Sequence, residues 1–210
     1  MVFFGKRTFM QISNGVKKNI REFNMVIVGT GGQGLLTLLE IIAEAALLGD
    51  FDVKTSELHG LAQRGGSVEV HITFGKKILS PLVNQGEANL IIALEAQESL
   101  RACYYSSKKA KTIFLINDFF VPIPGIRPKT SNQILKQIQR FSQKTILVPA
   151  SDICQKELGT KVVAGIYLLS LAVFQKLLSL KPNSILKAIQ SKIPKKYLEL
   201  NKKTFQLAKR

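Results

Sequence analysis

The segment SELHGLAQRGG, residues 56–66, places a carboxylate (Glu57), an imidazole (His59), an amide (Gln63) and a guanidinium (Arg64) within eight positions and closes on Gly65 and Gly66. A hydrophobic core has no use for that composition, because burying charge is costly unless it is paired. Arg64 is the candidate anion contact, since a guanidinium grips carboxylate or phosphate through two donors. Gln63, with Gln33 and the backbone amides of the turn at residues 29–34, would add neutral hydrogen bonds. The two glycines would let backbone approach a ligand or a second polypeptide closely. His59 is the candidate proton relay, titrating near neutral pH; the alternative is a structural histidine tied to a backbone carbonyl. Glu57 either faces the ligand or pairs with Arg64 and shapes the loop. His71 alternates within a strand and reads as a sheet residue. Asp118, ending a later strand, is an additional candidate.

A second motif lies upstream. VGTGGQG, residues 28–34, sets Gly29, Gly31 and Gly34 as G-x-G-x-x-G, with Gly32 and Gln33 between them. Glycines permit a tight strand-to-helix turn, and the helix start then offers N–H groups and a partial positive charge to an anion. A ribose-binding acid belongs about 20 residues further on, and Glu57 lies near that distance. Two details count against a nicotinamide site: the amide of Gln33 beside the turn, and the polar loop that follows Glu57 at once. A stand-alone NAD- or flavin-binding protein remains an alternative.

Alternating α and β patterns must position both motifs. Residues 24–29 read as a buried strand and 35–49 as a helix stopping at Gly49. Residues 51–57 read as a second strand. Residues 67–74 alternate with period two and, with 78–83, suggest a hairpin that would make the sheet mixed. Strands follow at 88–95, 111–118 and 144–150, with helices at 96–105, 132–141 and 151–159, the last capped by Ser151 or Asp152. Residues 119–130, rich in proline, read as a loop. Three helices close the chain at 161–179, 183–192 and 196–208. The expected fold is a three-layer, Rossmann-like α/β domain over residues 24–210, with a mixed, mostly parallel sheet and a helical C-terminal part. Residues 1–23 form a basic N-terminal extension, an organelle presequence being the alternative.

The formal net charge is +16. The first hundred residues hold 9 Lys and Arg against 10 Asp and Glu, so the remainder, with 21 against 4, carries the whole excess. Such asymmetry suits an acidic counterpart or a lysine-decorated solvated surface. The lysines come without an aromatic stacking series, which makes a nucleic-acid module the weaker alternative. The longest apolar run, 162–174, is short of the roughly 20 residues a membrane span needs. With no secretory signal, the expected location is cytoplasmic. Cys103 and Cys154 stand far apart, whereas iron–sulfur and zinc sites need a closely spaced set. Both read as buried thiols.

Taken together, GTGGQG, AEAA, SELHGLAQRGGSV and SPLV…GEANLIIALE resemble the small subunit of the 2-oxoacid:ferredoxin oxidoreductase family. LHGLAQRGG favours its indolepyruvate, or arylpyruvate, branch. The resemblance is dense over residues 24–102 and continues in outline to about 180. It implies a multi-subunit enzyme that oxidatively decarboxylates a 2-oxoacid to an acyl-CoA, with coenzyme A as co-substrate and electrons passed to ferredoxin. It also implies that thiamine diphosphate, magnesium and 4Fe–4S clusters belong to a large partner subunit. The chain's own residues agree with that division, offering no cluster cysteines and no Gly-Asp-Gly…Asn-Asn pattern. One departure stands out: the family often carries Asn near the start of the long C-terminal helix, where this chain has Ala164 and Gly165.

Overall fold

A computed structural model describes residues 21–60, 65–122, 125 and 129–209. Strand β1 (Glu22–Thr30) is the apolar run of the glycine motif, and it is buried from Asn24 onward because it lies inside the sheet. Helix α1 (Leu35–Leu47) follows the turn, then β2 (Asp52–His59) and β3 (Ser67–Gly75). Next come β4 (Leu90–Ala93), a 3₁₀ helix (Glu98–Tyr105), β5 (Ile113–Asn117), α2 (Ser131–Ile138) and β6 (Lys144–Val148). Helices α3 (Ala150–Leu158), α4 (Ala164–Phe174), α5 (Pro182–Lys192) and α6 (Lys195–Leu207) complete the described chain.

The six strands run in the order β2-β3-β1-β4-β5-β6. β1, β4, β5 and β6 are mutually parallel, and β3 is antiparallel to both of its neighbours. One reversed strand makes the sheet mixed, by a route other than the expected hairpin. Residues 78–83 form no strand. Pro81 cannot donate to a ladder, and Leu79 is 81% exposed. The segment instead crosses the sheet face, its Ile78 N–H donating to Asp52 Oδ2 at 2.9 Å and its Val83 N–H to His71 Nδ1 at 3.0 Å.

Side-chain alternation along β1 and β3 separates two cores. Met25, Ile27, Val70 and Ile72 pack with α1 and α4 on one face; Val26, Val28, Ile91 and Phe114 pack with Ala102 of the 3₁₀ helix and Ile134 of α2 on the other. These are the three layers. Three local expectations change. Gly49 does not cap α1: the helix ends at Leu47, Asp50 takes the left-handed conformation at φ 59°, and Gly49 packs against the ring of Phe51. Neither Ser151 nor Asp152 caps α3, which starts at Ala150 without a side-chain cap; Ser151 instead bonds Asn117 of β5. The stretch after β4 winds as a 3₁₀ helix. At Gly165 a Cβ would stand 3.0 Å from Leu38 Cδ1, so α4 and α1 approach each other closely there.

Candidate functional site

At the end of β1 the chain needs glycine for space. A Cβ on Gly29 would lie 2.5 Å from Gln33 Oε1, while Gly32 and Gly34 take φ values of +98° and +78°. The Gln33 side chain belongs to the turn itself. Its Oε1 accepts the Thr30 N–H at 2.8 Å and its Nε2 reaches the Leu94 carbonyl at 3.4 Å, tying β1 to the end of β4. Both ends of its carboxamide thus bond the backbone around the turn. Gly34 is the N-cap of α1, with no side-chain cap and no acid in the first turn. That leaves the helix start electropositive.

The polar loop meets this turn at its exit. The Gly31 N–H donates to the Gly66 carbonyl at 2.9 Å, Gly60 N–H to the Ser67 carbonyl at 3.3 Å, and Thr30 stands opposite Ser67 in the β1–β3 register. Gly65 is left-handed at φ +69°. Turn and loop thus share one sheet edge, where β1, β2 and β4 end and β3 begins. β1 and β2 are not neighbours, since β3 lies between them. The crevice between β1 and β4 is where the connections leave in opposite directions, the usual ligand position in an open α/β sheet. Gln63 and Arg64 lie outside the described residues, as does the His59 side chain, whose backbone pairs with Val68. Glu57 is exposed and sits across from Val70, on the face that carries α1. Asp118 follows β5 at the same edge, its Oδ1 accepting from the Ser131 hydroxyl at 2.7 Å.

The opposite face holds polar groups that periodicity alone did not select. His71 is 1% exposed, as a sheet residue should be. Its Nε2 lies 2.8 Å from Glu69 Oε1, and the Tyr105 hydroxyl donates to the same oxygen at 2.7 Å. Because the Val83 N–H occupies Nδ1, the proton of a neutral His71 sits on Nε2 and points at Glu69. Burial pushes the Glu69 carboxyl up, but the hydrogen bonds from His71 and Tyr105, with the charge of Arg101, outweigh it and hold the group below the ordinary carboxylate value. A cavity of about 320 Å³ opens beside this cluster, lined by Val28, Leu58, Ser67, Glu69, Glu98 and Tyr105 among others.

Two further acids were missed. Glu98 accepts from the Ser67 hydroxyl at 2.9 Å, and Glu95, 2% exposed, accepts the Glu98 N–H at 2.8 Å and the Val121 N–H at 3.2 Å. Burial raises the Glu95 carboxyl above its ordinary value despite those bonds. The available signal was an acid at the end of a fully apolar strand run, in LIIALEAQE.

Among the described residues no group of three or more His, Cys, Asp or Glu could hold a metal ion. Cys103 and Cys154 sit in the layers on opposite faces of the sheet. Among the described residues no helix is long and apolar enough to cross a membrane.

The family profile described as pyruvate ferredoxin/flavodoxin oxidoreductase matches residues 24–210. An indolepyruvate oxidoreductase subunit IorB of Archaeoglobus fulgidus is 32% identical over 191 residues, 89% of this chain and 93% of that protein. Pyruvate oxidoreductase subunit PORC of Thermotoga maritima superposes with a TM-score of 0.66 at 19% identity, over 90% of this chain and 96% of that one. The 2-oxoglutarate:ferredoxin oxidoreductase of Magnetococcus marinus, solved with 2-oxoglutarate, coenzyme A and succinyl-CoA bound, superposes with a TM-score of 0.63 at 16% identity; 90% of this chain covers 30% of that one.

Proposed function

The chain belongs to the pyruvate ferredoxin/flavodoxin oxidoreductase family, and from that premise we propose that it is the small, non-redox subunit of an indolepyruvate- or arylpyruvate-type 2-oxoacid:ferredoxin oxidoreductase. It works in the cytoplasm as one α/β domain, residues 24–210, behind a basic extension. The observation that carries this reading is the 32% identity to an indolepyruvate oxidoreductase subunit across 93% of that subunit's length.

In this reading the large partner subunit would hold thiamine diphosphate, magnesium and the iron–sulfur clusters, which would supply the decarboxylation chemistry and the electron transfer toward ferredoxin. This chain supplies an anion-seeking rim at the edge of that site. The uncapped start of α1, at Gly32 and Gly34, presents backbone N–H groups to a carboxylate or to a phosphate of coenzyme A. Arg64 is the charged contact of the same rim, and Gly65 and Gly66 let the partner or the ligand approach backbone. The bond between Gly31 and Gly66 supports the reading, because it puts both motifs on one edge.

The test is reconstitution. The chain should co-purify with a thiamine-diphosphate, iron–sulfur subunit from the same genome and restore its 2-oxoacid oxidation, with arylpyruvates preferred. Arg64→Ala should raise the Michaelis constant for the anionic substrate or co-substrate while the complex still assembles. Removing a charge contact that the assembled site encloses costs about 2–5 kcal/mol, so a contact of that kind should show as a change of tenfold or more. A chain that neither binds nor activates any such partner, or an Arg64→Ala complex with wild-type kinetics, would overturn the respective claim.

A further inference from the structure

The connections that reach the site edge include the glycine turn after β1, the polar loop entering β3 and the proline-rich segment after β5. One chain of hydrogen bonds joins them. Val121 N–H donates to Glu95 Oε1 at 3.2 Å and Glu98 N–H donates to Glu95 Oε2 at 2.8 Å. The Glu98 side chain accepts from Ser67 Oγ at 2.9 Å, and Gly66, next to Ser67, accepts from Gly31 N–H at 2.9 Å. Ala96 N–H adds a bond to the Phe119 carbonyl at 2.9 Å.

The chemistry of each residue suits its place. Glu95 must serve two backbone donors from different segments, and a carboxylate is the side chain with two acceptor oxygens. Glu98 also faces Arg101, but that pair is 3.6 Å apart with the arginine 68% exposed, and such surface pairs contribute little. The bond to Ser67 is the informative one: it spans 31 positions and comes from a carboxylate only 16% exposed. Nothing in the packing of the 3₁₀ helix requires an acid there, since its buried residues are Ser99 and Ala102.

We propose that Glu95 and Glu98 are positioning residues of the site edge, a two-carboxylate clasp that fixes the exit of the polar loop, through Ser67, against the glycine turn and the proline-rich segment. They touch no reacting atom; they set where the anion-binding rim stands. The kinetic half of this inference rests on the function proposed above; the mechanical half does not.

The experiment therefore has two arms. In the isolated chain, Ser67→Ala and Glu98→Leu should speed hydrogen exchange at the Gly31 amide about tenfold, while amides in the core of β1 keep their protection. In the reconstituted complex the same variants should lower kcat/KM about tenfold through KM, at unchanged subunit affinity. The double variant should do no worse than either single one, because the two side chains act through one bond. Glu98→Gln, which keeps an oxygen for Ser67, should recover most of what Glu98→Leu loses. Ser67→Ala is the mildest change and serves alone if Glu98→Leu does not fold. Unchanged exchange at Gly31 overturns the clasp. Faster exchange with wild-type kinetics overturns its positioning role. A wild-type complex without turnover defeats the functional reading instead, and the exchange arm still decides the clasp.

Discussion

The amide of Gly31 donates to the carbonyl of Gly66 at 2.9 Å, so two glycine-bearing segments far apart in sequence share a backbone bond at the edge of the sheet. The bond is possible because β3 runs opposite to β1 beside it, bringing Ser67 level with Thr30. A loop entering a reversed strand and a turn leaving a forward one must meet at the same end. The topology, rather than any single side chain, brings the two motifs together.

The glycines of the turn should differ in their tolerance. Gly29→Ala would drive a methyl against Gln33 Oε1, with Leu94 Cβ at 3.2 Å and Leu35 Cδ1 at 3.3 Å, and would break the bond that Gln33 Oε1 accepts from the Thr30 N–H. Overpacking plus a lost bond costs about 2–4 kcal/mol. Gly34→Ala meets open space and suffers only its φ of +78°, about 1–2 kcal/mol. Urea midpoints of the two variants check the order; equal midpoints would mean that the Gln33 brace is unimportant.

Periodicity made most of this fold legible. The apolar run ending in VGTGGQG, the α1 pattern and the strands at 90–93, 113–117 and 144–148 follow from local residue types. The expected hairpin does not form, because ILSPLV is as apolar as a strand but the tertiary fold gives Ile78 and Val83 side-chain acceptors across the sheet instead of a ladder. The site divides similarly. Turn and loop were readable as motifs, whereas Glu69, Glu95, Glu98 and Tyr105 are ordinary letters until the sheet order brings β3, β4 and the 3₁₀ helix together.

Glu69 should stabilise the fold at neutral pH and lose that contribution in acid. Its folded-state value lies below the ordinary one, so the unfolded chain takes up a proton first as pH falls. The stability gap between wild type and Glu69→Gln should be full above the ordinary carboxylate value and close as pH drops through the folded one. Tyr105→Phe removes one of the two donors and should cost about 1–3 kcal/mol at neutral pH. Urea unfolding from pH 7 to pH 3 measures both; a gap that widens in acid would refute the assignment.

Glu95 should behave with the opposite sign. Its folded-state value is raised, chiefly by burial, so the native state binds the proton more readily than the unfolded one. Between the unfolded and folded values, stability contributed by this group falls as pH rises, and at neutral pH the buried charge weighs against the fold. Glu95→Gln removes that dependence but gives up one of two acceptor oxygens, leaving the Glu98 or Val121 N–H short of a partner. The variant should therefore show a flatter stability profile just above the ordinary carboxylate range. A profile parallel to wild type there would show that Glu95 does not titrate in the fold.

The two thiols should be poor nucleophiles in the folded chain. Burial pushes both Cys103 and Cys154 up to about 11 from an ordinary value of 9.0. A rise of that size leaves about a hundredfold less thiolate at pH 8, and the thiolate is the reacting form. Cys154 is fully enclosed by α3 and its neighbours, so its labelling by a disulfide reagent should wait for unfolding. Half-buried Cys103, whose Sγ lies 3.8 Å from the Ser99 carbonyl, should react first but slowly. In denaturant both should label at the rate of a free thiol. Fast native labelling of Cys154 would mean that α3 opens readily from the sheet. Because Ser151 on α3 bonds Asn117 at the end of β5, such opening would also loosen the edge on which the proposed rim is built.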